Sequence, residues 1–223
     1  MTARVRVVSY NIHSFKDDLG ALAAVVADLA PDVLIVQEGA RRFRWRQKNA
    51  SLADRLRMVV GGGGLWSLGN LVLTTLRVRV LETHDVRYPL VPGHHLRGAV
   101  FATCAVPGAR FMVTGSHLST NAQVRPAQGA AWRAAMAGSD LPLIAAGDLN
   151  AEPGDPTWAL VADGLQVAGI APTHPSSGPL RQIDGVFVDK RVEVASFRVV
   201  DTPTARRASD HLPIAVDLVI PDN

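Results

Sequence analysis

Charged and amide side chains stand repeatedly at the ends of apolar, strand-length runs in this 223-residue sequence. Glu38 comes just after Leu34-Ile35-Val36, His117 after Phe111-Met112-Val113, and Asp148 and Asn150 after Leu143-Ile144-Ala145-Ala146. Asp184 sits inside Ile183-Asp184-Gly185-Val186-Phe187, and Asp210 and His211 immediately precede Pro213-Ile214-Ala215-Val216. Desolvating a lone charge is prohibitively costly, so a charge in such a place must be paired, solvated or metal-bound. A turn or cap role accounts for any one of them, but independent capping is a poor account of the set. Carboxylate and amide oxygens, with neither a cysteine nor a closely spaced histidine pair among them, suit a hard cation such as Mg²⁺, Mn²⁺ or Ca²⁺. No His-Glu-x-x-His helix and no Gly-x-Ser-x-Gly turn is present, so zinc proteolysis and serine-esterase chemistry have no support.

Strands must carry those residues. Val5–Tyr10 reads as one, presenting Asn11, Ile12 and His13 at its end. Leu19, Leu22, Val26 and Leu29 recur on one helical face, with Asp17 or Asp18 to cap the start and Pro31 beyond the end. Val33–Val36 reads as a buried strand running into Gln37 and Glu38. Further strands are expected over 70–74, 77–83, 98–106, 110–116, 142–146, 183–188, 192–201 and 213–219. Helices are expected over 51–58 and 121–137, and from Asp155-Pro156, where proline takes the first helical position. Gly61–Gly64 lacks the Gly-Lys-Ser/Thr ending of a phosphate-binding loop and reads as a flexible turn. No repeat or linker divides the chain, which is expected to form one α/β domain over residues 1–223.

Composition agrees with a packed fold. At 48% hydrophobic and 19% charged residues, the chain is too apolar for a disordered one. Its glycines and prolines have no period of three, which excludes a collagen-like repeat, and the single cysteine, Cys104, excludes an internal disulfide. No run approaches the roughly 18–20 apolar residues of a membrane span. The amino terminus enters an alternating pattern without a signal peptide, so the expected location is cytoplasmic.

The sequence is similar in its motifs to the endonuclease/exonuclease/phosphatase superfamily of DNase I-like phosphoester hydrolases. The residues that carry the resemblance are Ser9-Tyr10-Asn11-Ile12, Val36-Gln37-Glu38, Gly115-Ser116-His117-Leu118, Gly147-Asp148-Leu149-Asn150, Gln182-Ile183-Asp184 and Ser209-Asp210-His211-Leu212-Pro213, all in the superfamily's order. The resemblance implies a four-layered α/β (α+β) sandwich, two mostly antiparallel sheets face to face with helices outside. It implies that Glu38 is the main metal carboxylate, with Asn11 beside it and Asp210 completing the shell. Asp148 would orient or deprotonate the attacking water, and Asn150 would hold that water or a phosphate oxygen. His211, fixed by Asp184, would donate to the phosphoryl oxygen, and His117 would be a second donor or the leaving-group acid. A divalent ion and two imidazolium donors would neutralise the anionic phosphodiester during attack by hydroxide.

Other positions bear on the substrate. Asn70, in Gly69-Asn70, and Arg97, in Leu96-Arg97-Gly98, resemble residues that open strands in the superfamily and are candidates for phosphate contact. His13, His84, His94, His95 and His174 match no superfamily position and are expected on the surface or satisfied in the core. Five of the chain's 23 basic residues, Arg41, Arg42, Arg44, Arg46 and Lys48, fall within eight positions, leaving 18 against 20 acidic residues elsewhere. This stretch begins three residues after Glu38 and interleaves Phe43 and Trp45. Arg41 and Arg44 are therefore candidates for binding a phosphate backbone, with aromatics available to stack on bases. The same composition suits an anionic lipid headgroup surface. The expected activity is a metal-dependent phosphodiesterase on nucleic acid, with a phospholipid or small phosphoester as the alternative. A non-catalytic binding protein on this scaffold would be marked by loss of a metal ligand or of His211, and neither is lost.

Overall fold

In the computed structural model, residues 2–222 are described. The strands are β1 (Ala3–Asn11), β2 (Val33–Gln37), β3 (Val59–Gly63), β4 (Leu71–Thr74), β5 (Arg79–Arg87), β6 (Gly98–Val106), β7 (Ala109–His117), β8 (Leu143–Asp148), β9 (Leu165–Val167), β10 (Asp184–Asp189), β11 (Glu193–Val199) and β12 (Ile214–Ile220). The helices are α1 (Leu19–Leu29), α2 (Trp45–Arg55), α3 (Arg125–Ala135), α4 (Pro156–Ala162) and α5 (Pro203–Ala208). Two six-stranded sheets run in the orders β11-β12-β1-β2-β4-β3 and β5-β6-β7-β8-β10-β9.

Each sheet contains one parallel pair, β1 with β2 and β7 with β8, and all other neighbours are antiparallel. Parallel neighbours need a crossover, which α1 supplies in the first sheet and α3 in the second. Asp18 starts α1 by accepting from the Gly20 and Ala21 amides at 2.8 and 3.0 Å. The directions of the pairs bring the carboxyl ends of β1, β2, β7 and β8 together with the amino ends of β4, β6, β10 and β12. That end carries the polar residues singled out above.

The inner faces interdigitate through Val5, Val7, Ile35, Val72, Val100, Phe111, Val186 and Val216. Outside the first sheet, α1, α2 and α5 cover Val8, Tyr10, Leu34 and Leu71. Outside the second, α3 and α4 cover Phe101, Ala145 and Phe187 with Trp132 and Trp158. The expected four-layered sandwich is therefore present. Truncating a fully buried ring such as Phe111 to alanine costs about 3–5 kcal/mol. No helix among the described residues is long and apolar enough to cross a membrane.

Two local expectations are corrected, and two elements appear that the sequence did not announce. The helix expected over 51–58 begins earlier, at Trp45, because the buried Asn49 side chain pairs with both the amide and the carbonyl of Ala40, at 2.9 and 3.0 Å. Gly61, Gly62 and Gly63 of the glycine run belong to an edge strand, β3, rather than a loop, and Gly64 follows in a bend. Gly63 lies at φ +91°, and a side chain there would collide with the Asn70 carbonyl, so only glycine fits that position. Finally, α5 and the short strand β9 carried no periodicity strong enough to be anticipated.

Candidate active site

Asp148 occupies the centre of the converging ends. In the second sheet its neighbours in register are His117 on β7 and Asp184 on β10. Close approach here demands Gly147, because a Cβ at that position would collide with the Ser116 backbone. His117 Nε2 lies 3.2 Å from Asp148 Oδ2, and His211 Nε2 lies 3.8 Å from the same oxygen. Asp148 Oδ1 accepts the Asn150 amide at 2.9 Å. Asn150, at φ +50°, turns its side-chain amide onto His117 Nε2 at 3.0 Å and the Leu118 carbonyl at 3.1 Å.

The first sheet contributes from across the sandwich. Asn11 Nδ2 donates to Asp148 Oδ2 at 3.0 Å and to Glu38 Oε1 at 3.3 Å. Its Oδ1 accepts the His13 amide at 3.0 Å, which fixes the side chain's orientation and turns the oxygen away from Glu38. Asn11 thus bridges two carboxylates. Glu38, at φ +62°, also accepts the Ser14 hydroxyl at 2.5 Å. Burial alone would push its carboxyl up, but the bonds from Ser14 and Asn11 and the charges of Arg97 and His13 outweigh it and hold the group below the ordinary glutamate value.

His211 Nδ1 pairs with Asp184 Oδ2 at 2.8 Å, and Thr173 Oγ1 donates to that oxygen at 2.6 Å. Burial opposes protonation of His211, but the Asp184, Asp148 and Asp210 charges and the bond to Asp184 raise it to about 10. Burial and the neighbouring Asp184 charge push the Asp148 carboxyl up, against the pull of His211. His117 behaves oppositely. Burial and the charges of Arg97, His211 and Arg41 hold it well below the ordinary histidine value. The two rings expected as imidazolium donors thus stand in opposite environments, one that favours the charged form at His211 and one that disfavours it at His117.

Glu38 and His117 open into a cavity of about 440 Å³ walled by Arg41, Arg42, Lys48, His95 and Arg97. Arg97 Nε is buried without a hydrogen-bond partner. Arg41 is steadied by the Leu68 carbonyl at 3.2 Å. Arg44 lines an adjoining groove instead. Asn70 is buried, donating to the Ser67 and Gly98 carbonyls at 2.6 and 2.9 Å, so it secures the start of β6, just after Arg97, rather than facing the cavity. Trp45 is not free to stack: Gly64 lies on its ring and the Arg46 guanidinium sits 4.3 Å from the ring centroid. Phe43 is 83% exposed.

Three of the five unassigned histidines stand at this end of the molecule, partly exposed as expected of surface residues. His174 packs on His211 with ring centroids 4.8 Å apart, His13 lies 2.8 Å from Asp17 and 3.6 Å from Asp210, and His95 lines the cavity. These contacts join loops distant in sequence, so no local pattern announced them. His84, by contrast, stacks on Phe101 at 4.7 Å, away from these groups.

Asp210 groups with His174 and His211, and separately with His13 and Asp17, while Asp148 groups with Asp184 and His211. No such close trio among the described residues includes Glu38. An ionised, half-buried carboxylate at a cavity wall, with room for water and an anionic substrate, fits Mg²⁺ or Mn²⁺, which keep several waters and take one or two protein carboxylates. The oxygen donors fit the group.

A family model described as "Endonuclease/Exonuclease/phosphatase family" matches residues 8–211. Among solved structures, an endonuclease/exonuclease/phosphatase family protein from Bacteroides thetaiotaomicron is 17% identical, with 99% of this chain and 96% of that one covered at a TM-score of 0.80. The mannosyl-6-phosphatase Bt3783 of B. thetaiotaomicron VPI-5482 is 16% identical, with 97% and 100% covered at 0.80. D. rerio TDP2 complexed with single-strand DNA product is 19% identical, with 97% and 99% covered at 0.74. No curated protein matches the sequence.

Proposed function

The chain belongs to the endonuclease/exonuclease/phosphatase family and is a phosphoester hydrolase, and we propose that it is a divalent-metal-dependent phosphodiesterase acting on nucleic acid. The observation that carries this reading is the cationic wall of Arg41, Arg42, Lys48 and Arg97 beside the carboxylate of Glu38, continued into the next groove by Arg44 and Arg55. A substrate with one phosphate needs no such continuation. A polymer of phosphodiesters does.

In this reading Glu38 holds the cation, with Asp210 as a further carboxylate at the rim and Asn11 keeping Glu38 and Asp148 apart yet aligned. A divalent ion bound there supplies charge neutralisation and polarisation of the phosphoryl oxygen. Asp148, its proton affinity raised by burial, takes the proton of the attacking water. Asn150 and the neutral His117 orient that water or a non-bridging oxygen. His211, charged and held by Asp184, donates from Nε2 to the phosphoryl oxygen as charge develops there, and the bond from phosphorus to the leaving oxygen then breaks, that oxygen taking its proton from solvent. Arg97 and Arg41 bind the phosphate, and Asn70 supports Arg97 through the Gly98 carbonyl.

A phospholipid or phosphoinositide is the second reading, favoured by the exposed rings of Phe43 and Trp66, 83% and 53% accessible. Turnover of single- and double-stranded DNA, RNA and a phosphoinositide with Mg²⁺ or Mn²⁺ separates the two. The nuclease reading expects oligonucleotide products and steep salt dependence. A headgroup product alone overturns it.

A further inference from the structure

His13, Ser14 and Phe15 are consecutive non-glycine residues in the left-handed region, with φ of +46°, +55° and +63°. Each such residue costs roughly 1–2 kcal/mol, and left-handed conformation is ordinarily visited singly. A run of three at the edge of a catalytic cavity is stored strain with a positional result. Two consequences are visible. The Ser14 hydroxyl is delivered to Glu38, and Phe15 becomes a wall shared by the Glu38 cavity and a second groove of about 480 Å³.

The second groove has its own chemistry. Phe15 and Leu19 are partly buried against the core beneath α1 and α2, and Leu52 is buried at the groove's wall. Arg44, Lys48 and Arg55 line it as cations, and no aspartate or glutamate does. Lys48 and Phe15 face both spaces. An aromatic and aliphatic surface one step from the catalytic cavity, rimmed by unopposed positive charge, matches one nucleotide of a strand: its base on the apolar wall, its outer phosphate on the cations.

We infer that the left-handed turn His13–Phe15 builds a base-stacking subsite, in which Phe15 holds the nucleotide adjoining the scissile phosphate, so the substrate strand must be single-stranded or unpaired at that point. This rests on the nucleic-acid reading above. Paired, stacked bases have no free face to offer Phe15, whereas every unpaired base has one.

The test compares three substrates at equal metal concentration: a single-stranded DNA oligonucleotide, its blunt duplex, and a base-free oligomer of abasic deoxyribose phosphates of the same length. Bis-p-nitrophenyl phosphate serves as the general phosphodiester. The wild-type protein should cleave the single strand with kcat/KM about 5- to 150-fold above that for the base-free oligomer, the value of one stacked base. Phe15→Ala should lose that advantage, Phe15→Trp should keep it, and Phe15→Leu, which preserves the packing, should lose it as alanine does. Arg55→Gln should lower the salt slope for single strands by about 0.7. Equal cleavage of single strand and base-free oligomer by the wild type overturns the subsite and leaves the nuclease reading intact. Cleavage of bis-p-nitrophenyl phosphate but of no nucleic acid overturns the nuclease reading and the subsite with it.

Discussion

His211 Nδ1 meets Asp184 Oδ2 at 2.8 Å, with both side chains buried. The pair leaves Nε2 as the imidazole's only free donor and keeps the ring charged through neutrality.

That pair gives stability a defined pH dependence. The His211 pKa rises from 6.5 to about 10 on folding, so its stabilisation is fully present below pH 6.5 and is lost as pH rises through about 10. Thermal midpoints of the metal-free protein should fall across that window. Asp184→Asn should flatten the fall, and an unchanged slope in the variant would contradict the assignment.

Metal affinity should depend on the carboxylate and on what orients it. Glu38→Gln should abolish Mn²⁺ binding measured by calorimetry. Ser14→Ala, which removes the 2.5 Å bond to Glu38, should weaken it about 10- to 100-fold. Wild-type affinity in Glu38→Gln would place the ion elsewhere, at the Asp210 clusters.

Proton transfer and orientation should separate kinetically. Asp148→Asn should lower kcat by about 10²- to 10⁴-fold with a small change in KM. Asn150→Ala should lower kcat too, by releasing His117 and the Leu118 carbonyl. The two losses should not add, since both residues order the same groups.

Arg97→Met should act mainly on binding. Its buried, unpartnered Nε points to an anionic oxygen as the missing acceptor. KM should rise with kcat largely retained, and the salt slope should fall by about 0.7–0.9. A loss confined to kcat would make Arg97 part of the chemistry instead.

The strands and their polar ends were legible because both signals are local. Leu34-Ile35-Val36 before Glu38 and Leu143–Ala146 before Asp148 announce buried strands, and a charge beyond such a run needs a reason. Pairing across the sandwich was not legible. Nothing near Asn11 in sequence says that it bridges Glu38 and Asp148, and His174 reaches His211 only through the folded loop before β10. Nor does His13-Ser14-Phe15 contain the glycine that usually marks left-handed backbone. The environment of His117 was not legible for a related reason: its burial and the cations around it arise only on folding.

The most direct test of the account is Mg²⁺- and Mn²⁺-dependent hydrolysis of single-stranded DNA and bis-p-nitrophenyl phosphate by the wild type, Glu38→Ala and His211→Ala. The account predicts turnover by the wild type that chelation removes and that both variants lose by at least about 10²-fold while remaining folded. Undiminished turnover in either variant would contradict the assignment of the ion to Glu38 or of phosphoryl donation to His211.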